Sequence, residues 1–209
     1  MSSFNYSEIS FKQTLQTAFH KITGCGLRQD KNLFLKSLPL NHIFIQMKND
    51  YSIPAQTRIG HVHLKVADIN RSLEFYCGLL GFEVTTMYGD NAAFISAGGY
   101  HHHIGLNTWY SKGSPAAPVQ SVGLFHTAIL YPTRKDLAVI YKRLMQKNYP
   151  LTGASDHGVS EALYLNDPDE NGVELYWDRP AELWPQKEDG SLEMFSHPLD
   201  LEGLLKELE

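Results

Sequence analysis

The chain repeats itself, and the repeat limits the folds it can adopt. His61 opens an apolar run, HVHLKV at 61–66, and a polar turn then leads into a segment with Ile69, Leu73, Tyr76 and Leu80 at helical spacing. His126 opens a second run, HTAILY at 126–131, and a polar turn again leads into a segment carrying Leu137, Ile140, Tyr141 and Leu144. Each His lies 15 residues ahead of a Tyr, Tyr76 or Tyr141, and the copies are offset by 65 residues. Apolar residues three and four apart share one face of a helix, whereas a short apolar run fits a strand. Asp68 and Thr133 are placed to cap the two helices, and Gly81 to stop the first. Two copies of one supersecondary unit, each opening on a potential metal ligand, are therefore expected.

The pattern predicts strand 59–66, helix 68–80 and strands 82–88, 91–97 and 101–107 in the first copy. It predicts strand 124–131, helix 133–147 and strands near 150–153, 161–166 and 172–177 in the second. A Gly, Ser and Pro-rich loop at 112–123 joins the copies, and Asp167-Pro168-Asp169 with Asn171-Gly172 marks a tight turn. The expected fold class is α+β: two βαβββ modules, about 58–110 and 122–180, whose sheets form a half-open barrel around a metal site.

Residues 1–55 lack this pattern. Segment 7–22 has the spacing of an amphipathic helix, and segment 32–47 is apolar with Pro39 inside it. They read as an N-terminal extension that packs or dimerises, and they carry no evident chemistry. The repeat-bearing domain is expected over 56–180. Residues 181–209 read as a polar tail ending in a short helix that packs on the outside.

Glu174 lies inside a third apolar run, GVELYW at 172–177. A carboxylate buried between Val173 and Leu175 needs a counter-charge, and a metal ion supplies one. His61, His126 and Glu174 together make two imidazoles and one carboxylate. That set can occupy one face of an ion and leave positions open, the arrangement suited to Fe(II) and oxygen chemistry. His63 shares the face of His61 by strand alternation and is expected to line the cavity or to support a metal ligand from behind.

Composition sets the class. The hydrophobic fraction is 43% and the charged fraction 20%, as in soluble globular proteins. A net charge of −5 and the lack of a Lys/Arg cluster argue against nucleic acid as a partner. No apolar run reaches membrane-spanning length, and the N-terminus has no signal-peptide pattern, so no membrane partner and a cytoplasmic location are expected. The two cysteines, Cys25 and Cys77, are far apart and fit a reducing compartment.

The runs GHVHLKVADINRSLEFYCGLLGFEV, GGYHHHIGLNTW and DHGVSEALYLNDPDENGVELYWDRP resemble the vicinal oxygen chelate superfamily, which includes glyoxalases, bleomycin resistance proteins and extradiol dioxygenases. Within it they are most similar to ring-cleavage dioxygenases of the catechol 2,3-dioxygenase type. The resemblance implies His61, His126 and Glu174 as metal ligands. It implies His103 as the imidazole beside bound oxygen, and His157 with Tyr164 as the pair that takes a substrate proton. It further implies Fe(II), with Mn(II), Ni(II) and Zn(II) as alternatives, and a catechol and dioxygen as reactants in a homodimer. The chain departs from the familiar catechol enzymes in having two modules rather than four and a shorter gap between the loop His and the Tyr. Glu170 also stands where a Gly is usual, which points to a slightly strained turn.

The same scaffold implies two other readings. A glyoxalase-type lyase or isomerase would carry an acid on the last strand of the first module, where this chain reads HHHIGLN. A resistance or small-molecule-binding protein shares the ligand set, but the fosfomycin type carries a Thr where His63 stands.

Overall fold

A computed structural model describes residues 51–209; the readings of 7–22, 32–47 and Cys25 lie outside the described residues. The first module runs β1 (Val62–Lys65), α1 (Ile69–Leu73), β2 (Glu83–Tyr88), β3 (Ala92–Ser96) and β4 (Ile104–Asn107). Asp68 caps α1 by accepting a hydrogen bond from the Arg71 N–H at 2.9 Å. The helix continues as a wide π turn over Glu74–Leu79, with the Leu80 N–H donating to the Phe75 carbonyl at 3.0 Å. An extra residue per turn rotates the apolar face, so Phe75, Tyr76 and Leu79 are buried while Leu73 and Leu80 are only partly covered. Gly81 ends the segment at φ +91°, a left-handed conformation that costs glycine little. The sheet order is β1-β4-β3-β2, with β1 and β4 parallel in the register Val62 to Ile104.

The second module repeats the plan: β5 (Thr127–Leu130), α2 (Arg134–Gln146), β6 (Gly153–Asp156), β7 (Ser160–Asn166) and β8 (Gly172–Asp178). Thr133 caps α2 by accepting from the Asp136 N–H. Leu137, Ala138, Ile140 and Leu144 form its buried face. Again the first strand lies parallel to the last, with Ala128 opposite Glu174. The tail does more than cover the outside. Its strand β9 (His197–Pro198) extends the second sheet to the order β5-β8-β7-β6-β9. Its helix α3 (Leu201–Leu205) buries Leu204 completely in the core.

The architecture is α+β, with sheets of four and five strands that do not close into a barrel. One core cluster draws on both modules, from Leu64, Val66 and Ile95 to Leu163, Val173 and Leu175. Polar contacts brace them. The buried Tyr76 hydroxyl donates to Asp167 Oδ2 at 3.0 Å, Arg71 pairs with Asp169, and Arg143 donates to the carbonyls of Leu79 and Gly78 at 2.7 Å. Burial, then the charge of Asp167, pushes the Tyr76 hydroxyl far above its ordinary pKa. The turn after β7 carries Glu170 at φ +64°, the strain expected of a residue in glycine's place. Among the described residues, no helix is long and apolar enough to cross a membrane.

Two boundaries bear on function. His61 and His126 stand one residue ahead of β1 and β5 rather than inside them. The strand expected from 101 begins at Ile104, so strand alternation does not govern the side chains of His101, His102 and His103.

Candidate functional site

The parallel pairing of β5 with β8 brings His126 to Glu174, where His126 Nε2 lies 2.9 Å from Glu174 Oε2. Gly172 makes this approach possible. A Cβ there would fall inside contact distance of the Phe125 carbonyl oxygen and 3.1 Å from the Cβ of His126. The pair suits two adjacent positions on a divalent ion: donors each about 2.1 Å from an ion, at a right angle, stand about 3 Å apart. Among the described residues the other ring nitrogen of His126, Nδ1, is buried without a hydrogen-bonding partner.

Tyr164 on β7 lies directly opposite Glu174 on β8. Its hydroxyl donates to Glu174 Oε1 at 3.0 Å, and its oxygen lies 2.7 Å from His157 Nε2. Burial raises the phenol to about 12, aided by the charge and hydrogen bond of Glu174, so it keeps its proton at neutral pH. His157 sits in the short turn between β6 and β7, and its Nδ1 lies 2.8 Å from the Phe195 carbonyl. A carbonyl only accepts, so Nδ1 carries the proton and Nε2 faces the phenol. His126, Glu174, Tyr164 and His157 thus form one continuous polar chain.

The first module gathers its imidazoles separately. His61 packs on His102 with ring centroids 4.4 Å apart, and His102 meets the edge of Phe94 at 5.0 Å. His63 lies over Gly105, where a Cβ would come within 2.9 Å of its ring, and against Trp109. Burial, then the neighbouring His61, holds His63 and His102 below the ordinary imidazole value. His103 points elsewhere: its Nδ1 lies 3.0 Å from Ser96 Oγ and accepts from the Ala97 N–H, and its ring packs on Tyr100. The imidazole beside His61 is therefore His102 and not the expected His103, because these residues precede β4.

His61 does not join His126 and Glu174. Among the described residues, no three side chains of His, Cys, Asp or Glu stand close enough to hold an ion. The donor set fits an ion at two positions, and the third ligand stands with the other module. A groove of about 790 Å³, lined by residues that include Asp68, Arg71, Met87 and Lys112, lies elsewhere and includes none of these residues.

Sequence reasoning missed three contributors. Gly172 was legible only as a turn residue, and nothing in the composition of the tail marked the Phe195 carbonyl. His102 was visible in the HHH run, but nothing in the sequence set it beside His61.

The chain matches the Glyoxalase/Bleomycin resistance protein/Dioxygenase superfamily over residues 58–175. It is 41% identical over 157 residues to a catechol-2,3-dioxygenase of Bacillus subtilis (strain 168), a match covering 75% of this chain and 54% of that protein. It is 34% identical over 125 residues to biphenyl-2,3-diol 1,2-dioxygenase 3 of Rhodococcus globerulus, covering 59% of this chain and 65% of the relative. The chain therefore spans between half and two thirds of the length of these relatives. In structure it resembles a glyoxalase/dioxygenase from Nostoc punctiforme, with a TM-score of 0.50 at 16% identity, over 63% of this chain and 99% of that one.

Proposed function

The chain belongs to the Glyoxalase/Bleomycin resistance protein/Dioxygenase superfamily, and from that premise we propose that it is an Fe(II)-dependent extradiol-type dioxygenase cleaving a catecholic ring. The observation that carries this reading is the polar chain from His126 and Glu174 through Tyr164 to His157. A carboxylate and imidazole pair alone would suit any member of the superfamily. A phenol held between that carboxylate and a second imidazole is a device for moving a proton.

In this proposal His126 and Glu174 would hold the ion, with His61 as the third ligand. When bound, the ion supplies charge stabilisation, orientation of the two vicinal substrate oxygens and an electron path between ring and dioxygen. The protein supplies the proton path. The Tyr164 hydroxyl turns its proton from Glu174 Oε1 to His157 Nε2, 2.7 Å away, and passes it there as its oxygen takes a proton from the substrate hydroxyl. Because the free phenol is raised to about 12, Tyr164 relays a proton and is not itself a standing base. On the other side His102, packed beside His61, gives and takes a proton where dioxygen reacts. His103, occupied by Ser96 and Ala97, is left out of that role. A homodimer working in a reducing cytoplasm completes the proposal.

The test is anaerobic reconstitution with Fe(II), then oxygen uptake and visible spectra with catechol and substituted catechols. One oxygen consumed per yellow ring-opened product is the expected result. His102→Ala should lower the rate far more than His103→Ala. An ion bound at one per chain with no oxygen uptake on any catechol would overturn the reaction class.

A further inference from the structure

The tail crosses over the turn that carries His157. Gln186 and Leu192 bridge to form a small hairpin, and the Glu193 N–H returns to the Pro185 carbonyl at 2.9 Å. The chain then meets the His157 turn twice through Phe195. The Phe195 N–H donates to the His157 carbonyl at 3.4 Å, and the Phe195 carbonyl lies 2.8 Å from His157 Nδ1. Two residues later His197 pairs with Asp156 on β6 and stacks its ring on Phe195 at 4.4 Å. The Phe195 ring lies on Gly158, whose φ is +78°; a Cβ there would come 2.7 Å from that ring and 2.8 Å from Pro185.

We propose that residues 193–198 are a strap that positions His157, with the Phe195 carbonyl selecting the tautomer that proton transfer needs. A neutral imidazole carries one proton, on either nitrogen. Tied to a carbonyl, Nδ1 must hold it, and Nε2 is left bare toward the Tyr164 hydroxyl. Without that tie the ring gains the other tautomer, in which an Nε2–H faces the phenol and cannot accept its proton. Backbone pairing alone would secure the tail as well without touching the ring, so the contact to Nδ1 is what gives the strap a role beyond stability. Phe195 is a positioning residue: it touches no reacting atom and acts through His157. The inference rests on the proposed use of His157 as proton acceptor, and its first readout needs neither ion nor substrate.

The experiment is a ¹⁵N NMR measurement of the histidine side chains in the full-length protein above the titration range of the imidazoles, with His157 assigned by difference against His157→Gln. A single Nδ1–H tautomer of His157 in the unaltered protein is expected. Phe195→Ala should give a mixture of tautomers and lower kcat about tenfold, part of what a well-placed base contributes, with KM little changed. Phe195→Tyr should restore both. An Nε2–H tautomer in the unaltered protein overturns the proposal even if Phe195→Ala does not fold, as does a Phe195→Ala protein with unchanged tautomer and kcat. If no catechol is turned over but the tautomer responds as described, the dioxygenase reading fails and the strap stands.

Discussion

Replacing Gly172 with Ala tests the site through the backbone without touching a functional group. The added Cβ would collide with the Phe125 carbonyl oxygen and crowd the His126 Cβ at 3.1 Å. Ordinary contact begins near 3.4 Å, so the start of β5 must retreat by about 1 Å. Metal sites tolerate ligand displacements of about 0.2 Å, so His126 would leave bonding distance while Glu174 stayed on β8. Losing one ligand should weaken divalent ion binding by at least about 100-fold, beyond what disturbing an outer-shell partner costs. The crowding should also cost about 1–3 kcal/mol of stability, a fall in Tm of several degrees that circular dichroism would follow. Calorimetric titration with Fe(II) under nitrogen, or with Mn(II) in air, measures the affinity. A folded Gly172→Ala protein that binds the ion as tightly as the unaltered one would refute the claim that this glycine sets the His126–Glu174 geometry.

Removing the ligand and removing the relay should separate cleanly. His126→Ala should abolish ion loading, whereas Tyr164→Phe should keep the ion and lose about 10²–10⁴-fold in kcat, read by metal analysis beside oxygen uptake. Tyr76→Phe removes one of the hydrogen bonds that hold Asp167 and should destabilise the fold by about 1.5–3 kcal/mol, measured by urea unfolding. Because burial raises the folded-state value of Tyr76, its contribution is complete below about pH 10 and falls as pH rises beyond it. Tyr76→Phe should therefore show a smaller alkaline loss than the unaltered protein. Asp156 behaves in the opposite sense. The hydrogen bond from Arg179 lowers its pKa, so its contribution is present above the ordinary carboxyl value of 3.8 and is lost as pH falls below it. Asp156→Asn should therefore flatten the fall of Tm below about pH 4.

The sequence by itself determined the modules. Their strand and helix periods, the Asp68 and Thr133 caps and the stop at Gly81 are local properties, and local properties repeat legibly along a chain. The family resemblance singled out both Tyr164 and Glu174, and the tight turn that joins β7 to β8 sets them opposite one another. Tertiary structure alone decided the rest. His102 and not His103 meets His61, because three residues ahead of a strand follow loop geometry and not a period of two. His61 stands apart from His126 and Glu174, because the approach of two sheet edges depends on the packing of whole modules. The carbonyl that orients His157 comes from 38 residues further along the chain, supplied by main chain that any residue carries, so no residue type could announce it.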